Sequence, residues 1–195
     1  FPATIPFRMQ ELKDTQSEAD TRNISIDRVG VKGLRFPIQI QDKLNRIQST
    51  VATVSLAVDL PEEFKGTHMS RFVEALHQHG PLLDVHTALS IPRELLGRLS
   101  ASRSHVEMEF PFFRAKAAPV TGREGLMDYV VRFEMEAEAG DRLADFKLTV
   151  VVPVTTLCPC SKAMSSYGAH NQRGIVTYSV RFASRPVWIE DLIDL

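Results

Sequence analysis

Two cysteines separated by one proline, Cys158 and Cys160, and a histidine further along, His170, are the side chains of this sequence best suited to chemistry. Thiolate sulfur and imidazole nitrogen are the usual ligands of zinc, and they serve iron and other first-row metals as well. A bound metal with an open coordination position lowers the pKa of water toward neutrality and supplies a hydroxide nucleophile at cellular pH. A disulfide between Cys158 and Cys160 would close a small, strained ring, and stapling disulfides normally join distant segments. Thiol chemistry or metal binding is the better use of such a pair. Cys-x-Cys with a later His matches none of the common zinc-finger spacings, so spacing alone leaves two readings open. One is a set of metal ligands; the other is a pair of small buried residues with His170 a satisfied polar loop residue. The polar company of Ser161, Lys162, Asn171, Gln172 and Arg173 argues against inert burial.

These side chains fall in Thr155 to Gly174, TTLCPCSKAMSSYGAHNQRG, between two alternating runs. Phe146, Leu148, Val150, Val152 and Val154 read as one strand, and Val176, Tyr178, Val180 and Phe182 as its partner. The connection is much longer than the roughly two to five residues of a hairpin loop, and long loops in compact domains tend to be functional. A hairpin brings Cys158 and His170 together, while Pro159 stiffens the interval and turns the two sulfurs in different directions.

Upstream, Leu34, Phe36, Ile38 and Ile40 alternate, with Gly33 marking a bulge where the phase slips. A polar turn at Asp42 to Asn45 leads to a second strand carrying Val54, Leu56 and Val58. Thr67 is the predicted N-cap of a helix that turns Met69, Phe72, Val73 and Leu76 inward and ends near Gly80. A second helix starts at Ser90, with Pro92 in its first turn and Leu95, Leu96 and Leu99 inward. Val106, Met108, Phe110 and Phe112, then Tyr129, Val131, Phe133 and Met135, return to a period of two. The fold class is α+β, an antiparallel sheet with helices packed on one face. The order strand, strand, helix, helix, strand, strand then begins again, and Trp188, Ile189, Leu192 and Ile193 open a helix. The division is an N-terminal arm over residues 1–26, a first module over 27–140 and the start of a second over 141–195, whose remainder is expected in a longer protein.

With 195 residues, 44% of them hydrophobic, the chain can bury a substantial core. A formal net charge of -1 offers no global basic field to draw nucleic acid or an acidic membrane. No apolar run approaches the roughly 20 residues needed to span a bilayer, and Phe1 to Asp20 lacks the pattern of a signal peptide. The expectation is a soluble, cytoplasmic protein with no nucleic-acid or membrane partner.

The runs LCPCSK and GAHNQRG resemble the signature of the bacterial GTP cyclohydrolase IB family. KGTHMSRFVEAL, Lys65 to Leu76, and VGVKGLRFPI, Val29 to Ile38, are similar to two further segments of that family, so the resemblance covers most of the chain from Asn23 onward. It implies a tunnelling fold of tandem ββααββ modules, assembled into a homotetramer with active sites at subunit interfaces. It also implies conversion of GTP to 7,8-dihydroneopterin triphosphate and formate, the first step of tetrahydrofolate biosynthesis. By motif, Cys158 and His170 match metal ligands, with zinc, iron and manganese all admissible, and Cys160 matches a catalytic thiol that handles protons during ring opening. The family's further glutamate and histidine residues have no match before Leu195 and are expected beyond it.

A triphosphate needs several cationic or N–H partners. His68 and Arg71, near the start of the first helix, are candidates, the alternative being a solvated helix face; Lys162 and Arg173 flank the cysteine loop. His77, His79 and His86 read as surface residues or helix-dipole partners and not as a second metal site. Arg132, Glu134, Glu136 and Glu138 read as the wet face of a strand, and Phe110, Phe112 and Phe113 as core or subunit interface. Two other functions fit parts of the pattern. One is a deazapurine nitrile reductase of the same fold with a metal-free cysteine nucleophile, and the other a non-catalytic, metal-stabilised oligomerisation module.

Overall fold

The computed structural model describes residues 24–44, 46–118, 121–140, 145–165, 171–182 and 187–195. Most of the expected N-terminal arm, Asn45 of the expected turn, and His170 lie outside the described residues. In chain order the elements are β1 (Ile26–Gln41), β2 (Ile47–Leu60), α1 (Met69–His79), β3 (Leu82–Leu83), α2 (Ser90–Leu99) and β4 (Arg103–Ala117). They continue as β5 (Glu124–Glu138), β6 (Asp145–Leu157), α3 (Pro159–Met164), β7 (Asn171–Phe182) and α4 (Ile189–Ile193). The strands form one mixed sheet in the order β3-β1-β2-β4-β5-β6-β7, antiparallel throughout except for the parallel β1–β3 pair. The chain is thus α+β, as the alternation between periods of two and 3.6 predicts.

Side-chain alternation decides which face is covered. Val54, Leu56, Val58, Val106, Met108, Phe110, Val131, Phe133, Met135, Phe146, Leu148 and Val150 all point to one buried face. Phe110, Phe133 and Phe146 meet in sequence across three neighbouring strands, with ring centroids 5.1 and 5.0 Å apart. Over them lie Phe72, Ala75 and Leu76 of α1, Ile91 and Leu95 of α2, and Ile189 and Leu192 of α4. The opposite face is polar and links its charged groups across strands: Arg132 Nε donates to Glu109 at 3.1 Å, Lys147 pairs with Glu134 at 2.7 Å and His105 Nδ1 lies 2.8 Å from Glu136.

Gly33 has φ 72° at the register shift between Val31 and Leu34, the bulge that the phase slip predicts. α2 begins at Ser90 as expected, and α1 ends before Gly80, whose φ is 83°. The start of α1 differs from expectation. Its N-cap is His68 and not Thr67, and no side chain caps it; the first-turn N–H of Arg71 is taken by the His68 carbonyl at 3.1 Å. Between β1 and β2, Asp42 accepts from the N–H groups of Leu44 and Arg46 at 2.9 and 2.8 Å and from Arg46 Nε at 2.7 Å. Burial alone would raise its pKa, but these donors together overcome that effect and hold the carboxyl below its ordinary value.

The sheet parts in two places at the end where β4 turns into β5. The β2–β4 ladder stops at Thr53 and Glu109, and beyond it side chains bridge the gap. Thr50 Oγ1 donates to the Pro111 carbonyl at 3.0 Å, and the Gln48 amide donates to Phe113 O at 2.8 Å while accepting from Phe113 N–H at 2.6 Å. The β5–β6 ladder stops at Val130 and Val151. Past that point β5 stays with β4 as far as Ala117 and Glu124, and β6 stays with β7 as far as Leu157 and Asn171. The two hairpins form a fork.

Candidate active site

The cysteines sit at the tip of the β6–β7 arm of this fork. The strands run closer to the turn than the sequence suggests: pairing continues to Leu157 and Asn171, so Thr155 to Leu157 and Asn171 to Gly174 are strand and not loop. The remaining connection opens with α3. Pro159 occupies its first turn, where a missing N–H costs nothing and the fixed φ suits a helix. Cys158 is the N-cap, extended at φ -70° and ψ 121°, and its carbonyl accepts the Lys162 N–H at 3.1 Å.

That placement sets the chemistry of the thiol. Cys158 closes no geometric side-chain cap, yet the amide N–H groups of Ser161, first, and of Cys160 face its sulfur and pull its pKa below the usual thiol value, outweighing partial desolvation. Cys158 is half-buried and Cys160 exposed, so the two sulfurs meet different surroundings, as the intervening proline leads one to expect. Ser161 is buried and anchors the short helix through its carbonyl, which accepts the Ser165 N–H at 3.0 Å. A sulfur biased toward thiolate is a fitting donor for a soft or borderline metal. Among the described residues no group of three or more His, Cys, Asp or Glu comes together to hold an ion.

The other candidates divide by position. Lys162 is exposed on α3 beside the cysteines, and Arg173 is exposed on β7 opposite Thr155, both at the tip of the arm. His68 and Arg71 are at the far end of the sheet. Arg71 Nη1 donates to the Arg98 carbonyl at 3.3 Å, just before β4 begins, and the start of β4 pairs with the end of β5. Within one chain the fold does not bring them to Cys158.

The remaining histidines go separate ways. His77 meets Phe36 edge-on at 5.2 Å, and His86 meets Trp188 at 5.5 Å. His79 Nδ1 lies 2.9 Å from Ser90 Oγ, which itself donates to the Thr87 carbonyl at 2.7 Å, so the hydroxyl accepts and His79 carries its proton on Nδ1. Burial lowers the His79 pKa, outweighing the opposite pull of Glu94 and Asp84. Sequence reasoning overlooked the cavity of about 810 Å³ inside the fork, whose walls include Lys116, Arg123, Met127, Val154, Thr155 and Tyr178. Counting residues outward from the β4–β5 turn would have placed Lys116 and Arg123 at the same sheet end as Cys158.

A thiolate-biased cysteine and an exposed second thiol, held at the end of a strand whose Val154 and Thr155 line a cavity large enough for a small molecule, define an enzyme-like site in an α+β sheet protein. The family described as type I GTP cyclohydrolase folE2 matches residues 12–195. The chain is 94% identical over 187 residues to a GTP cyclohydrolase FolE2 of Akkermansia muciniphila, covering 96% of this chain and 71% of that protein. It is 51% identical over 182 residues to a GTP cyclohydrolase FolE2 of Syntrophobacter fumaroxidans, covering 93% of this chain and 70% of the relative. A third relative of the same name, from Nitrosomonas eutropha, is 50% identical over 184 residues, covering 94% and 68%. The chain belongs to the type I GTP cyclohydrolase FolE2 family.

Proposed function

We propose that this protein is a GTP cyclohydrolase of the type IB kind, which opens the imidazole ring of the guanine of GTP and yields 7,8-dihydroneopterin triphosphate and formate for tetrahydrofolate synthesis. Family membership carries the reaction. The observation that carries the site is the Cys158 sulfur, biased toward thiolate at the head of α3. Neither the nitrile-reductase reading nor the non-catalytic module gains support from these relatives.

Cys158, together with His170, would hold a divalent metal, with zinc, iron and manganese all compatible with a sulfur and nitrogen set. When bound, such a metal supplies a Lewis acid that activates water for attack on C8 of the guanine. The work of the chain itself is more specific. The amides of Ser161 and Cys160 bias Cys158 toward its thiolate, and exposed Cys160 would carry a proton to or from the opening ring. Lys162 and Arg173 set positive charge around the loop for the triphosphate. His68 and Arg71, at the opposite sheet end, would contribute from a neighbouring subunit, in keeping with a homotetramer whose sites lie at interfaces. The seven strands fit the tunnelling fold, with the first ββααββ module spanning residues 27–140, the second beginning at 141 and residues 1–26 as an arm. We place the enzyme in the cytoplasm; no helix among the described residues is long and apolar enough to cross a membrane.

The test is turnover of GTP followed by fluorescence of the oxidised pterin product, with and without chelation. Cys158→Ala in the intact enzyme is expected to lower turnover by more than about 100-fold, beyond the roughly 10- to 100-fold cost of residues that only support a metal ligand. Unchanged product formation by this variant would remove Cys158 from the reaction.

A further inference from the structure

We infer that Ser161 is a positioning residue for Cys158: its hydroxyl donates to the sulfur and fixes the direction in which that sulfur meets a metal. This rests on the metal-ligand reading above and gives a role to a side chain that the reading leaves out. The first observation is an inverted order of burial on α3. Pro159, Cys160, Lys162, Ala163 and Met164 are exposed, Met164 by 85%, while Ser161 among them keeps only 7% of its surface in contact with water. Apolar burial alone would put the methionine inside and the serine outside. A buried hydroxyl costs free energy unless it is hydrogen-bonded, so a partner, and not the hydrophobic effect, accounts for Ser161 facing inward.

The other buried polar side chains show what such partners do in this fold. Ser104 Oγ donates to the Pro92 carbonyl at 2.7 Å, Thr149 Oγ1 lies 2.9 Å from Ser179 Oγ, and Glu190 accepts the Lys43 N–H at 3.0 Å. Each of these ties one part of the scaffold to another. Ser161 turns to the chemistry instead. It is the third residue of α3, the position from which a side chain reaches back to the N-cap in a capping box, and both its N–H and its hydroxyl face the Cys158 sulfur. The Cys160 thiol makes the same kind of contact from an exposed position, whereas Ser161 makes it from an enclosed one. The main chain on both sides is already fixed: the Cys158 carbonyl accepts the Lys162 N–H at 3.1 Å, and the Ser161 carbonyl accepts the Ser165 N–H at 3.0 Å. Rotation about the Cys158 Cα–Cβ bond is then the freedom left, and a donor at Ser161 favours the rotamer that keeps the sulfur at the head of α3.

The experiment uses the intact enzyme and reads metal binding apart from turnover. Zinc affinity is measured by competition with a chromogenic chelator, and cobalt(II) loaded in place of zinc reports its thiolate bond through a sulfur-to-cobalt charge-transfer band. Ser161→Ala, which keeps the N–H and removes the hydroxyl, is expected to weaken zinc binding by about 10- to 100-fold and to shift or bleach the cobalt band. The zinc concentration that half-saturates GTP turnover should rise by the same factor. Ser161→Thr, which restores a donor, should return most of the affinity, and a merely structural role would not separate the two variants in this way. If the threonine methyl prevents folding, Ser161→Gly joins Ser161→Ala, and both are expected to show the loss. Folded Ser161→Ala enzyme with unchanged zinc affinity and an unchanged cobalt band overturns the assignment. A cobalt band that survives Cys158→Ala overturns the ligand reading beneath it. Zinc binding that depends on the hydroxyl, in an enzyme that leaves GTP intact, would overturn the cyclohydrolase reading and support the assignment.

Discussion

The sheet has a covered half and an uncovered arm, and the two use the same alternating pattern to different ends. On β2, β4 and β5 the inward side chains lie under α1 and α2 and lose almost all contact with water; Val54, Val106, Val131 and Phe133 are all fully buried. On β7 the corresponding positions, Val176, Tyr178, Val180 and Phe182, stay half-buried. The difference is the helical layer, not the strands. Among the described residues the helices lie over the inner strands, while β7 keeps part of its inward face in contact with water.

The sharpest test of this division is a pair of truncations. Phe133→Ala in the covered half is expected to cost about 3–5 kcal/mol in urea-induced unfolding. Phe182→Ala on the arm, although its ring lies 4.8 Å from that of Phe146, should cost only about 1–2 kcal/mol because part of its surface is already wet. Equal losses would erase the distinction.

Asp42 probes the covered half through pH. Its folded pKa is depressed, so its contribution is fully present above the unfolded aspartate pKa of about 3.9 and is lost as pH falls through the folded value. Asp42→Asn is expected to destabilise by about 1.5 kcal/mol at neutral pH. The two proteins should converge in stability as the pH drops below about 4. A gap that persisted in acid would mean that the turn is held by something other than the carboxylate.

Arg132→Gln, on the wet face, should cost less than about 1 kcal/mol, and less still in high salt, since its ion pairs are well exposed. Cys158→Ala should change unfolding by no more than about 0.5 kcal/mol despite its effect on turnover. A large loss of stability there would make the loop part of the scaffold.

The strands, both long helices and the bulge at Gly33 were legible because each leaves a local mark: a period of two, a period of 3.6, or a slip in phase. The cysteine loop was legible for the same reason, since its residue types are unusual over a short stretch. Three features were not. β3 has two residues, too few for any period to show. The head of α1 looked capped because Thr67 has the right chemistry, but a neighbouring main-chain carbonyl does the work. The fork depends on where the β5–β6 ladder stops, which is a relation between strands and is written in neither of them.

That register also works as a ruler. From Val130 to Glu136 the fifth strand grips the sixth, and this register sets how far the cysteines project past the rest of the sheet. Sliding the sixth strand by two residues would keep every side chain on its own face and leave the core chemically intact, yet carry the cysteines about 7 Å along the sheet. A change in length between these strands could thus silence the enzyme while the protein still folds.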